Sequence, residues 1–418
     1  MRLDRKRELD YWVGRPLLAS LNLGARVLGR ILNRNHSAHP VRNVLFVKFQ
    51  GMGSLVISKP ALAAFRRHYP EARCVFWGTP GLTLLAANMP EFNEVLVLDD
   101  RSLSGMIRSS CKALARLWRL PIDWAFDLEV YSRLSSVLLT LTCARNRAAF
   151  ALEHLRSRRV HTHLIYFNRY GYVGEAYARM IGQMLPLGEA IDVSDYGSWR
   201  FDLTALPSVR KPYIVFNVHA GELSYERRWP LESFRAVIDL LLESRPDFTA
   251  VLIGHGDAEV RYASGLGRTD RVLDLNGRLS LEDTMRVLAN AELLVTNDSG
   301  PFHLALSTRT PIVGLFGPTR GATYLPPGRQ RAVAVYEPIY CSPCVHHWEP
   351  PPCGGDNQCM KRLSVTKVLA ACESLLGLPP HDLPFTKAVP ASDYYAGLVY
   401  TRATPRQPAA VSQDHLSR

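Results

Sequence analysis

Cysteine is scarce, 8 in 418 residues, which excludes a disulfide-stapled scaffold at this length. No apolar run reaches the roughly 18 uninterrupted residues that a membrane span needs, so no segment is expected to cross a bilayer. The N-terminus lacks the short basic start, apolar run and small-residue cleavage site of a secretory leader, and the expectation is a cytoplasmic chain. Acidic residues are outnumbered, 38 Asp and Glu against 50 Lys and Arg, leaving a net charge of +12. That surplus favours anionic partners such as phosphorylated ligands, acidic lipid or nucleic acid. Two cofactor signatures are also missing. Neither Gly51-Met52-Gly53-Ser54 nor Gly254-His255-Gly256-Asp257 carries the third glycine of the dinucleotide fingerprint, and no Gly-Lys-Ser/Thr follows a glycine-rich loop. A nicotinamide dehydrogenase and a P-loop NTPase are thereby disfavoured. No RNA-recognition aromatic pair or zinc-finger histidine spacing occurs either, so nucleic acid is not an expected partner.

What remains is the composition of a folded globular chain, 47% hydrophobic and 21% charged, long enough for roughly two to three domains. Residues 1–40 carry eight basic and three acidic side chains and read as a basic helical extension. From Pro16, the residues Leu17, Leu21, Leu28, Ile31 and Leu32 share one side of a helical spiral, with Arg15, Arg26, Arg30 and Arg34 opposite. Such a helix suits an anionic membrane surface, or equally a face of its own protein.

From residue 41 the pattern becomes short β-branched runs alternating with helical periodicity, the mark of parallel α/β units. Residues 41–208 form one set, with strands expected at Val44–Val47, Cys74–Trp77, Glu94–Leu98 and Trp124–Leu128. Residues 209–376 form a second, with strands at Tyr213–Val218, Thr249–Ile253, Leu293–Thr296 and Ile312–Phe316. Residues 377–418, proline-rich and weakly patterned, read as a tail. Polar loops follow the carboxyl ends of the strands, where open α/β sheets bind ligands, and two such domains face each other across a cleft.

Two loops carry the chemistry. In Leu293-Leu294-Val295-Thr296-Asn297-Asp298-Ser299-Gly300-Pro301-Phe302-His303, a buried strand runs into a helix start that Asp298 or Ser299 can cap and that Pro301 suits. Its backbone amides and helix dipole make a phosphate site at Ser299 and Gly300, with His303 about one turn inward. In the loop after Val218, Glu222, Glu226, Arg227 and Arg228 precede Trp229-Pro230. A cation there suits a diphosphate and can neutralise charge on a departing nucleotide.

The segments VLFVKFQGMGSLVISKPALAAFRRHYP, ERRWPLESF, VLIGHGDAE, NGRLSLEDTMRVLANAELLVTNDSGPFHLA and PIVGLFGPT resemble glycosyltransferase family 9, the lipopolysaccharide heptosyltransferases, from about Val44 to about Val368. The resemblance implies an α/β GT-B fold of two Rossmann-like domains, an acceptor domain first and a nucleotide-sugar donor domain second. It implies inverting transfer of a heptose-like sugar from a nucleoside diphosphate, commonly ADP-heptose, to a lipid-linked core oligosaccharide, with no cofactor required for catalysis. Arg227 matches the phosphate-binding cation, and Gly53, Asp298, Ser299, Gly300 and His303 match the donor site; Glu259 and Leu279 fall near positions that approach the nucleoside. One position departs. Where the family has Gly-Asp, with the aspartate as general base, this chain has Ser54, whose hydroxyl is not basic at neutral pH. Asp127, Glu129 and Glu222 are the carboxylates left as candidate bases, and a nucleotide-sugar-binding protein with lost or reduced catalysis is the alternative reading. Peripheral attachment to the inner face of the cytoplasmic membrane accords with the basic extension.

Cys341, Cys344, Cys353 and Cys359 give a CxxC followed by two wider-spaced thiols. Four thiolates suit a tetrahedral structural zinc; free or packed thiols are the other reading of the same spacing.

Overall fold

The computed structural model describes residues 8, 10–32, 36, 41–152, 160–185, 190–221, 225–266, 270–329, 331–345 and 353–378. Two six-stranded, all-parallel sheets make two lobes. In the first, β1 (Asn43–Lys48), β2 (Arg73–Gly78), β3 (Glu94–Val97), β4 (Trp124–Asp127), β5 (Asn146–Ala151) and β6 (His163–Tyr166) take the order β3-β2-β1-β4-β5-β6. The second repeats the plan with β7 (Tyr213–Asn217), β8 (Thr249–Leu252), β9 (Val272–Asp274), β10 (Leu293–Asn297), β11 (Ile312–Phe316) and β12 (Ala332–Tyr336) in the order β12-β11-β10-β7-β8-β9.

Central strands covered on both faces must be apolar throughout, and β7, β10 and β11 are buried at every residue. In each sheet the order reverses beside the first strand of the lobe, next to β1 and next to β7. Loops leaving the carboxyl ends at such a switch point diverge and open a crevice. The loop after β1 turns through Gly51 at φ 79°, a left-handed conformation that favours glycine, before the helix Met52–His68 begins. This helix packs across the lobe boundary against the helix Gly300–Leu306 of the second lobe.

Residues 192–209 join the lobes and are clamped to both. Trp199 donates its indole N–H to Ser307 Oγ at 3.0 Å, while Lys59 Nζ sits 4.9 Å from its ring centroid. Lys59 is itself buried against Glu91 at 2.6 Å; burial lowers its pKa against the opposing pull of Glu91.

The N-terminal extension is helical over Arg15–Leu32, but its packed stripe differs from the expected one. Leu18 is fully buried and Leu21 and Ala25 partly so, against Val137 and Val160. Leu17, Leu28 and Ile31, expected on a common apolar side with Leu21, are exposed, as are Trp12, Leu23 and Val27. The packed stripe, Leu18, Leu21 and Ala25 at i, i+3 and i+7, is rotated about the helix axis from the expected one. The docking is polar as well: Asp10 Oδ1 accepts from the backbone amides of Arg133 and Leu134 at 2.6 and 2.7 Å and from Ser132 Oγ at 3.1 Å. It thereby satisfies amides that the helix Arg133–Leu141 cannot pair internally. No described helix is long and apolar enough to cross a membrane. The expected tail falls outside the described residues except at its first two positions.

Candidate functional site

The site grows from polar residues that end buried strands. Asn217 closes β7 and Asn297 closes β10, both buried. Asn217 Nδ2 donates to the Ile253 carbonyl at 2.9 Å. Asn297 Nδ2 donates to the His219 carbonyl at 3.1 Å, and its Oδ1 accepts from the Trp229 amide at 3.0 Å. Fully buried Trp229, its indole N–H on the Leu363 carbonyl at 2.9 Å, anchors the loop that carries Arg227. Asn217 was not singled out from the sequence, although an amide closing an otherwise apolar strand is a readable signal.

Ser299 occupies the N-cap position of the helix Gly300–Leu306 with extended backbone, yet its hydroxyl does not cap. It donates to Asn217 Oδ1 at 2.9 Å instead. The expected cap is therefore absent, and the first helical amides keep no side-chain partner from Ser299. A Cβ placed on Gly300 would meet nothing within 4 Å, so this turn faces open space.

Asp298 is the hub. Its Oδ2 accepts from Thr319 Oγ1 at 2.7 Å and lies 3.4 Å from Arg227 Nη1, and its Oδ1 lies 3.5 Å from His303 Nε2. Burial alone would raise its pKa, but His303, the Arg227 charge and the Thr319 hydroxyl together hold it down at about 2. Arg227 also donates through Nη2 to the Ala220 carbonyl at 3.0 Å. The guanidinium is thus fixed beside the uncapped helix start, a placement suited to an anion.

Across the boundary stands the loop after β1. Gly53 lies so close to His303 that a Cβ there would fall 2.2 Å from the ring's Cδ2. Next to it, Ser54 donates its hydroxyl to the Gly51 carbonyl at 2.9 Å. The structure therefore gathers Gly53, Ser54, Arg227, Asp298, Ser299, Gly300 and His303 at one place. Tyr324 joins them, its ring centroid 5.6 Å from that of His303; it and Thr319 were not identified from the sequence.

Two expected bases are not available there. Asp127 is fully buried and accepts from Ser135 and Ser136 hydroxyls at 3.0 and 2.9 Å and from the Glu129 amide at 3.1 Å. Glu129 Oε1 accepts from the amides of Phe49 and Gln50 at 2.6 and 2.7 Å and lies 4.0 Å from buried Lys48. These carboxylates shape the loop after β1 rather than meet a substrate, because their oxygens already serve as acceptors within the lobe. Glu222, the third candidate, lies outside the described residues.

Farther along the second lobe, Glu259 Oε2 accepts from the His255 amide at 2.7 Å and Leu279 packs half-buried against the core. Near them His219 is almost wholly buried. Desolvation and then the Arg228 charge push its pKa down to about 4. Neither ring nitrogen has a hydrogen-bond partner among the described residues.

Cys341, Cys344, Cys353 and Cys359 are free thiols. They converge enough that burial and then the neighbouring sulfurs raise the thiol pKa of Cys344, and that of Cys359 to about 12. Among the described residues, no three His, Cys, Asp or Glu side chains are arranged to hold a metal ion. Cys359 packs against Gly317, and the Cys344 amide bonds the Pro318 carbonyl at 3.0 Å.

A family model described as glycosyltransferase family 9 (heptosyltransferase) matches residues 190–353. A lipopolysaccharide heptosyltransferase 1 of Escherichia coli is 30% identical over 295 residues, covering 66% of this chain and 86% of that protein. A lipooligosaccharide heptosyltransferase 2 of Campylobacter jejuni is 21% identical over 330 residues, 78% of this chain and 95% of the relative. Among solved structures, an E. coli heptosyltransferase with ADP superposes at a TM-score of 0.63, with 19% identity, over 80% of this chain and 99% of that one. The last likeness establishes the GT-B fold.

Proposed function

The chain belongs to glycosyltransferase family 9, the heptosyltransferases, and from that membership we propose that it moves heptose from ADP-heptose to the core of a lipopolysaccharide, with inversion. That it is a glycosyltransferase of lipopolysaccharide core biosynthesis follows from the family. The ADP-heptose donor is the finer step, supported by relatives whose solved forms hold ADP or a fluorinated ADP-heptose.

The observation that carries the reading is the Arg227–Asp298–His303 array beside the helix start at Gly300, met by Gly53 from the opposite lobe. In direct displacement the acceptor hydroxyl attacks the anomeric carbon opposite the diphosphate, and charge grows on the leaving nucleotide. Arg227 and the amides at the helix start meet that charge, preorganised and partly shielded from water, where such groups are most effective. Glu259 and Leu279 border the nucleoside end of the same cleft. The alternative, a nucleotide-sugar-binding protein with lost or reduced catalysis, keeps one supporting observation, Ser54 in place of a carboxylate. Calorimetry with ADP, followed by mass spectrometry of a heptose-deficient core lipid incubated with ADP-heptose, decides. ADP binding with a heptose added to the lipid supports transfer; ADP binding without it leaves only the binding protein, and no ADP binding overturns the donor assignment.

The same reading extends to location. The N-terminal extension exposes Trp12 at 73% and Ile31 at 71%, and Arg15 is exposed beside them. Apolar residues for the acyl boundary and cations for the headgroups suit peripheral binding to an anionic bilayer, where a lipid-borne acceptor resides.

A further inference from the structure

A hydroxyl that attacks an anomeric carbon must lose its proton, and the residues around the cleft narrow the choice of acceptor for it. Ser54 is not basic and its hydroxyl is donated to Gly51. Asp127 and Glu129 are spent on internal hydrogen bonds. Burial pushes the phenols of Tyr177 and Tyr324 up, away from any basic role near neutrality. His303 differs from all of these: its side chain is 8% exposed, and Nδ1 is buried without a hydrogen-bond partner among the described residues. Buried polar atoms are normally paired, and an orphan nitrogen at the meeting of two lobes is one whose partner arrives with the substrate.

Building on the transferase reading above, we propose that His303, oriented by Asp298, is the general base for the acceptor hydroxyl in this chain, taking the role vacated at Ser54. With Nε2 carrying its proton toward Asp298, Nδ1 keeps a lone pair. As the acceptor oxygen forms its bond to the anomeric carbon, its proton passes to Nδ1. The bond from that carbon to the diphosphate oxygen breaks with its electron pair leaving on ADP. The resulting imidazolium faces the Asp298 carboxylate and returns its proton to solvent once product departs. The 3.5 Å separation of Nε2 from Oδ1 is long for a hydrogen bond; such contacts tighten as the ring becomes charged. The ionisable groups facing the imidazole are Asp298 from its own loop, Arg227 beyond that carboxylate and Tyr324 from the helix Gly321–Tyr324. From the Met52–His68 helix, Gly53 meets the ring.

The test compares the full chain with its His303→Asn variant, which cannot take a proton. With ADP affinity followed by calorimetry, kcat for ADP release at saturating ADP-heptose with heptose-deficient core lipid is expected to fall about 10²- to 10⁴-fold, beyond any change in ADP binding. The acid limb of kcat/KM is read for the wild type and the variants alike. Adding Ser54→Asp to the variant is expected to restore at least about tenfold and to move that limb toward the carboxylate range, about pH 4. A His303→Asn chain that keeps kcat within about threefold, or an acid limb identical in both proteins, overturns the assignment. Loss of ADP binding in the wild type would instead overturn the donor reading on which it rests.

Discussion

Gly53 and His303 touch across the lobe boundary so closely that a single added methyl, 2.2 Å from Cδ2, has no place there. The glycine is explained by this approach, because residue 53 sits in the first turn of a helix where any small residue would otherwise serve. Gly53→Ala is expected to hold the lobes apart and lower kcat by at least about tenfold, since a misplacement near 1 Å costs reacting groups that much. ADP affinity should change little. Steady-state kinetics beside calorimetry check this; an unaltered kcat would show that the lobes do not close through this contact.

Arg227→Ala should reduce kcat/KM by about 10²- to 10³-fold, the usual loss when a preorganised charge-stabilising group is removed. Lysine at this position should recover part of it, having the charge without the forked geometry. A further consequence separates binding from folding: without Arg227, buried Asp298 loses a compensating charge, so the variant's melting temperature should also fall.

His219 titrates far below an ordinary histidine, at about 4. The native chain holds it neutral while the unfolded chain takes up a proton near pH 6.5, so stability is complete above that value and is lost progressively as the pH falls toward 4. The loss amounts to about 3 kcal/mol at most. Urea unfolding at pH 7 and pH 4.5 should show it, and His219→Gln should flatten this part of the profile. Asp298 acts lower on the scale: with a pKa of about 2 against about 3.9 unfolded, its contribution persists to about pH 4 and disappears toward pH 2.

Trp12→Glu combined with Ile31→Glu should weaken binding to anionic vesicles by at least about tenfold, from the apolar area withdrawn and the charge reversed. Both side chains are exposed, so the fold should be unaffected. Equal sedimentation with vesicles for the two proteins would reject the membrane surface.

Asp10→Ala should cost about 1 to 2 kcal/mol, the scale of a lost helix cap, because the amides of Arg133 and Leu134 lose their acceptor. Thermal unfolding measures this, and proteolysis within residues 8–32 should accelerate.

The eight strands expected from apolar runs are all present to within a residue: seven are buried over most of their length and so had to be apolar, while the edge strand β3 was legible from Val95-Leu96-Val97 alone. The four that escaped notice are edge strands or their neighbours: β5 is built on alanine and arginine, β6 follows directly on polar Thr162, β9 spans only three residues and β12 is half-exposed. In the site, Asp298, Ser299 and His303 were legible because a strand, a cap-like triplet and a proline stand in succession. What sequence could not tell is where each polar atom turns. Ser299 looks like a cap and serves Asn217, and Asp127 looks exposed and is enclosed by Ser135 and Ser136, because both outcomes depend on residues brought together from distant parts of the chain.

The Asp10 clamp fastens the leading helix to the same lobe that carries Gly53 and Ser54. If a bilayer grips that helix, the half of the enzyme receiving the lipid-borne sugar chain becomes the stationary platform. On the proposed reading, nucleotide would then be exchanged at the second lobe without the enzyme letting go of the surface.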